Sequence, residues 1–179
     1  MSEIPELLER FRRGAELLAV STTGAAGPEL DFKPPATEDR QDQWSVRQIV
    51  CHLADTEAVC VMRFRQVIAE DNPAMPAFDG AAWAQSLDYG QRKISQSLEI
   101  FRVLRASNHE LLKNLPPETF DRTGVHSEIG KVSLLDLLRT YAEHVENHVR
   151  QLQRTRAAYR EHKSAARLAE PQPSRLTEP

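Results

Sequence analysis

Apolar residues recur every three or four positions in four long stretches of the chain, separated by clusters of Pro, Gly and acidic residues. No run alternates apolar and polar residues for long enough to demand a sheet, so the pattern predicts an all-α protein. The first helix, roughly Glu3 to Val20, ends at STTGAAGPELDFKPP, which is too rich in Gly and Pro to continue it, and a loop follows to Gln43. Ser45 and Gln48 form an S-x-x-Q capping box for the second helix, with Trp44 placed to staple onto Ile49. Its buried stripe is Val46, Val50, Leu53, Val61, Phe64 and Ile68, and Asp71-Asn72-Pro73 ends it after about Glu70. Glu57 falls inside this stripe. A carboxylate there either snorkels to an edge or accepts a hydrogen bond from a metal-bound imidazole, and both readings stay open.

The connection NPAMPAFDGAAWAQSLDYG carries Pro73, Pro76, Phe78 and Trp83, so it is expected to fold over one end of the helices rather than trail in solvent. Asp88 with Gln91 is the expected cap of the third helix. Its stripe runs through Ile94, Leu98, Phe101, Leu104, Leu111 and Leu115, is interrupted by Asn108, and stops at Pro116-Pro117. After the turn-like segment DRTGVHSEIGK, Ser133 is the expected N-cap of the fourth helix, with Val132 and Leu137 placed to staple it. That helix should run to about Tyr159 or a few turns further. The closing SAARLAEPQPSRLTEP loses the apolar period and gains prolines. The expected organisation is a four-helix bundle over 1–160 and a frayed helix end with a disordered tail over 161–179. The long connection between helices 2 and 3 leaves room for a crossover.

Charge narrows the partners. Lys and Arg number 23 against 26 acidic residues, a net charge of -3, so no cationic excess is available for a nucleic-acid backbone. No run approaches the ~20 apolar residues of a membrane span, and MSEIPELLERFRRGAELL is charged and amphipathic rather than signal-like, so a cytoplasmic location is expected. Cys51 and Cys60 lie nine residues apart on one predicted helix, too far along its axis for a disulfide, and read as small apolar residues facing a core.

The fourth helix contains TYAEHVENHVRQL, which puts His144 and His148 one turn apart on the same face, where two imidazoles can chelate one ion. Such pairs arise often by chance. The H-E-x-x-H protease pattern is excluded, because Val145 holds the place of its glutamate and Glu146 points about 200° round the helix. Leu134, Leu138, Tyr141, Val145, Val149 and Leu152 form the core stripe, and the two histidines lie on its margin. On the second helix His52 also sits beyond the apolar arc, near Thr56, and periodicity does not separate a ligand from an exposed residue there. Asp55 is placed either to orient that imidazole or to face solvent.

The segments WSVRQIVCHLADTEAVCVMRFRQVIAEDNPAMPAFDG and HSEIGKVSLLDLLRTYAEHVENHVRQL closely resemble the DinB/YfiT-like metalloprotein superfamily, in particular its YfiT branch, over about residues 41–155. The resemblance implies a four-helix bundle of DinB/YfiT type in which His52, His144 and His148 bind one divalent metal, zinc or nickel, with coordination positions left open. His126, in the loop before the last helix, matches a position that is often histidine in the family; hydrogen bonding, substrate contact and general base all remain open for it. His109 and His162 match nothing and are expected to be solvated. The wider superfamily includes bacillithiol S-transferases and a mycothiol-dependent isomerase, which implies a transferase activating a low-molecular-weight thiol on the three histidines. A metal-dependent hydrolase is the closest rival, and a non-catalytic metal-binding bundle of the stress-response kind is the alternative from another class. Glu57, Asp55 and His126 are the residues expected to tune the site. Cys51, about 100° round the helix from His52, is not expected to be a nucleophile. A small-molecule substrate and a homodimer are further implications of the resemblance.

Overall fold

The structure is a computed structural model and describes residues 3–36 and 43–169. Four long helices dominate: α1 (Ile4–Thr22), α2 (Val46–Ala69), α4 (Ile94–Leu112) and α5 (Leu134–Ala169), with a short α3 (Gly80–Ser86) between α2 and α4. The chain folds as the helical bundle its periodicity predicts. α1 packs on α4 and α5, and α2 packs on the same two, so α1 and α2 occupy one diagonal of the bundle and α4 and α5 the other. The long connection therefore joins two neighbours, α2 and α4. The links that cross the bundle are those from α1 to α2 and from α4 to α5.

Local chemistry sets the helix starts. Gln48 N–H donates to Ser45 Oγ at 3.3 Å and Ser45 N–H to Gln48 Oε1 at 3.1 Å, closing the capping box of α2. Asp136 and Ser133 exchange the equivalent pair ahead of α5, with backbone N–H donors 3.1 and 3.0 Å from Asp136 Oδ2 and Ser133 Oγ. The third long helix departs from expectation. Asp88 adopts a left-handed φ of 47°, incompatible with the extended backbone of an N-cap, and its carbonyl instead takes the Gln91 N–H at 3.0 Å to close a turn; α4 begins at Ile94. It ends at Leu112, short of the prolines. The acid that does cap a helix in this region is Asp79, whose carboxylate accepts from Ala81 and Ala82 N–H ahead of α3.

The buried face of α4 is also rotated from the expected stripe. Ser97, Phe101, Arg105, Asn108 and Leu112 face inward, while Ile94, Leu98, Leu104 and Leu111 are half-buried. Arg105 and Asn108 turn inward because Glu57 of α2 is there to receive them: Arg105 Nη2 donates to Glu57 Oε2 at 2.5 Å and Asn108 Nδ2 to Oε1 at 3.0 Å. A buried carboxylate is tolerated only with such partners. Glu57 thus neither snorkels nor contacts an imidazole, and the interruption of the stripe at Asn108 is its counterpart.

A small sheet was not expected. β1 (Ala74–Met75) pairs in parallel with β2 (Thr123–His126), which forms a hairpin with β3 (Gly130–Ser133). Strands this short carry no readable alternation. Gly124 permits the pairing, since a Cβ there would lie 2.9 Å from Met75 Cε and 3.0 Å from the Pro73 carbonyl oxygen. The sheet ties the segment before α5 to the end of α2 and places His126 beside the bundle. Apolar side chains fill the interior in two large clusters, one around Phe11, Phe64, Leu112 and Leu138, the other around Leu18, Val50, Phe101 and Leu152, with a small third of Cys51, Ala84 and Tyr89. α5 continues to Ala169 with residues 161–168 exposed; the rest of the expected tail, and residues 37–42 of the expected loop before α2, lie outside the described residues.

Candidate metal centre

α2 and α5 are neighbours, and their contact brings His52 against His144 and His148. His144 Nε2 lies 3.2 Å from His52 Nε2 and 3.1 Å from His148 Nε2, and one nitrogen from each ring lies within 4.8 Å of those of the other two. Three neutral imidazoles with their protons on Nδ1 turn three Nε2 lone pairs toward one another and have no donor among themselves to satisfy them. The two close spacings suit a shared ion: ligands at the ~2.0–2.1 Å usual for Zn–N sit roughly 2.8–3.4 Å from each other between octahedral and tetrahedral arrangements.

The surroundings fix the rings and keep them uncharged. His148 Nδ1 is 2.8 Å from Gln151 Oε1, so the tautomer that donates there leaves the Nε2 lone pair for the centre. Trp44 stands edge-on to His52 with centroids 4.8 Å apart, and lies nearly parallel to His148 at 6.2 Å. Gly80, the first residue of α3, packs against the same ring: a Cβ there would come within 3.1 Å of His52 Cε1. His52 Nδ1 is buried with no hydrogen-bond partner among the described residues. Burial lowers the His52 pKa to about 4 and the His144 pKa to about 2, with the neighbouring histidines adding to the shift, and burial lowers that of His148 as well.

Without a bound ion, these shifts make the stability of the protein depend on pH. The unfolded chain takes up protons near the ordinary histidine value of 6.5, while folded His52 and His144 do not until far lower pH. Stability is therefore full above 6.5 and is lost as pH falls from there through about 4 for His52 and on toward about 2 for His144. Urea midpoints of chelator-treated protein should fall with pH below 6.5, by roughly 1 kcal/mol per pH unit for each ring. The same slope in a His52→Gln, His144→Gln double variant would contradict this origin.

Other residues singled out in the sequence lie elsewhere or beside the triad. Asp55 accepts from the Tyr89 hydroxyl at 2.8 Å and from Arg92 Nη1 at 2.7 Å, and makes no hydrogen bond to His52. His126 lies at the end of β2 with Nε2 3.1 Å from Arg63 Nη2. It shares with His144 a cavity of about 190 Å³ that Thr56, Phe78 and Tyr141 also line. Cys51 is buried 3.4 Å from Ser97 Oγ, and burial pushes its thiol and that of Cys60 above the ordinary range. Both cysteines are core residues. His109 is half-buried, and His162, though exposed, stacks on Phe32 with centroids 5.3 Å apart rather than standing free in solvent. Arg63, Gly80 and Gln151 were not anticipated in the sequence. For Gln151 the signal was its position three residues after His148, and for Arg63 its place on the same face of α2 as His52.

No helix among the described residues is long and apolar enough to cross a membrane. The family model described as the DinB superfamily matches residues 7–152. A protein of Oceanobacillus iheyensis named as a candidate metal-dependent hydrolase is 33% identical over 68% of this chain and 70% of its own length. YfiT of Bacillus subtilis, named in the same way, is 31% identical over 63% of this chain and 64% of its own. The solved structure of YfiT, titled as an unusual four-helix bundle topology, matches with a TM-score of 0.77 at 24% identity, covering 87% of both chains.

Proposed function

The chain belongs to the DinB superfamily, and on that premise we propose that His52, His144 and His148 hold one divalent transition metal, zinc or nickel, for catalysis on a small molecule. The observation that carries this reading is the convergence of three uncharged Nε2 atoms at 3.1 and 3.2 Å beside a cavity. Three nitrogens leave coordination positions for a substrate, as in catalytic rather than structural sites. When bound, such an ion supplies Lewis acidity, which lowers the pKa of a coordinated water to about 7 and deprotonates a coordinated thiol outright.

The protein's own groups favour the thiol. Hydrolysis ordinarily calls on a base to position or deprotonate water, yet no carboxylate among the described residues is hydrogen-bonded to the three rings. Glu57 is held by Arg105 and Asn108, Asp55 by Tyr89 and Arg92, and His126, which lines the cavity, is engaged at both ring nitrogens by Arg63 and the Glu128 N–H. A thiol needs no such base. The reading is therefore transfer of a low-molecular-weight thiol, such as bacillithiol or mycothiol, to an electrophile. The site residues then have distinct tasks: Gln151 orients His148, Trp44 and Gly80 hold His52 in place, and the cavity beside His144 offers largely apolar walls to a substrate. Metal-dependent hydrolysis is the second reading, favoured by the names of the relatives.

Zinc- and nickel-loaded protein, assayed with a panel of small thiols and 1-chloro-2,4-dinitrobenzene and in parallel with carboxylic esters, separates the two. Thiol conjugation that disappears on chelation and in His144→Ala is the expected result. Ester cleavage without thiol would replace it with hydrolysis, and turnover of neither would leave a metal-binding bundle.

A further inference from the structure

Arg63 follows His52 on α2 by eleven residues, a separation that returns to within about 20° of the same helix face three turns on. Its guanidinium is half-buried and carefully seated. Nη1 donates to the Tyr141 hydroxyl at 3.0 Å, Nη2 donates to the Pro76 carbonyl at 2.7 Å, and Nη2 also lies 3.1 Å from His126 Nε2. None of these three partners is a carboxylate. Arg10, Arg47, Arg92, Arg105 and Arg156 each pair with a carboxylate, but Arg63 has no carboxylate within ion-pair distance among the described residues. Nε–H and one hydrogen of Nη1 are not used in the contacts just given, of the five donors a guanidinium carries. A partly desolvated cation held in place without a counter-charge is costly unless something anionic completes it.

What Arg63 borders indicates what that anion is. Two of its three partners, Tyr141 and His126, line the cavity of about 190 Å³ that His144 also lines. Arg63 and Pro76 also line a larger apolar groove between α2 and the α3 segment, but Tyr141 and His126 do not, and these two tie the guanidinium to the inner cavity. The inner walls are largely apolar, through Phe78, Val132 and Leu137. The acid on the wall, Asp136, is occupied by Ser133 Oγ at 2.6 Å and Arg139 Nη1 at 2.9 Å, so it does not neutralise Arg63. The chamber thus has a metal-ligating imidazole, a cation without a counter-ion and apolar walls between. It is smaller than the ~300 Å³ at which drug-sized sites begin, which limits the occupant to a handful of non-hydrogen atoms.

We propose that Arg63, seated by Tyr141 and His126, is an anion subsite of this cavity, and that the substrate is a small carboxylate with a short apolar body. Its acid group lies on Arg63 and its reacting end faces His144. A planar guanidinium matches a carboxylate in shape as well as charge, and the narrow, largely apolar walls suit the short body of a compact acid. The proposal rests on the metal-site reading only for where the reacting end lies; the recognition of the acid belongs to Arg63 itself.

Butyrate and butyramide, which share shape and differ in charge, test it on the full-length chain by titration followed through the ¹⁵N resonance of Arg63 Nε–H. Zinc-loaded and chelator-treated protein are both measured. Butyrate should bind at least tenfold more tightly than butyramide in both forms and move that resonance; Arg63→Gln should abolish the preference and Arg63→Lys keep part of it. Equal affinities would overturn the proposal. So would an undiminished preference in Arg63→Gln protein that still takes up zinc, a preference confined to the zinc-loaded form, or one that leaves the Arg63 resonance unmoved. The last two outcomes are read on the wild-type chain, so they decide the matter even if Arg63→Gln does not fold. Failure of zinc uptake with the butyrate preference intact would remove the triad reading and leave the subsite standing.

Discussion

His144→Ala is expected to abolish stoichiometric metal binding, weakening it by more than about 100-fold. His144 is the middle member of the proposed set, with its Nε2 within 3.2 Å of both other Nε2 atoms, and its removal leaves two nitrogens on different helices. Loss of a partner that merely orients a ligand typically costs 10–100-fold in affinity, so loss of a ligand should exceed the upper end of that range. Gln151→Ala, which frees His148 Nδ1 from its hydrogen bond while keeping all three rings, should fall within it. Metal content after dialysis, and competition titration against a chromophoric chelator, give both values. Full metal content in His144→Ala would remove the centre from these residues, and an effect of Gln151→Ala equal to that of His144→Ala would point to general unfolding instead.

The second large effect concerns stability. Arg105→Met should destabilise the fold by about 3–5 kcal/mol, because Glu57 would remain buried without a counter-charge. Arg105 is 2% exposed and Glu57 1%, and Arg105 also donates to the Phe11 carbonyl at 3.2 Å and lies 3.8 Å over the Phe11 ring. Removing both charges should be far milder. In an Arg105→Met, Glu57→Leu double variant most of the loss should return, since apolar replacement of a buried pair is often neutral or stabilising. Asn108 would still lack one acceptor in that variant, which limits the recovery.

Burial raises the Glu57 pKa, although Arg105 and Asn108 pull it down. For an acid shifted upward, the folded state is penalised as pH rises above the ordinary carboxylate value. Without Arg105 the shift grows, so the defect of Arg105→Met should be larger at pH 8 than at pH 5. Urea denaturation of the wild type, both single variants and the double variant at the two pH values measures the coupling. A double variant no more stable than Arg105→Met alone would show that the charge left behind is not the source of the loss. The pair also matters for the metal centre, because Arg105 joins α4 to α2 through Glu57 and contacts the Phe11 carbonyl of α1, bracing the bundle that holds α2 against α5.

Much of the bundle was legible in the sequence because it is written in short-range interactions. The α2 capping box joins Ser45 to Gln48, the α5 start joins Ser133 to Asp136, and both stop signals and apolar periods act within a few residues. His144 and His148 share a helix face for the same reason. Their companion His52 was not separable from a surface residue by periodicity, and its place in the expected set came from the resemblance of the segment around it.

What tertiary structure alone decided involves partners far apart in the chain. Glu57 meets Arg105 forty-eight residues away, Asp55 meets Tyr89 thirty-four away, and His126 reaches Arg63 across sixty-three. Each pairing depends on which helices become neighbours and how they are rotated, and the amphipathic period of one helix carries neither fact. The inward turn of α4 onto Arg105 and Asn108 and the pairing of β1 with β2 are cases in point. So is the chamber beside the histidines. The sequence by itself determined the helices, the caps of α2 and α5 and the shared face of His144 and His148, because those are set by neighbours one turn apart; the packing of α2 against α5 brought His52 to them and placed an arginine without a carboxylate partner at the same cavity.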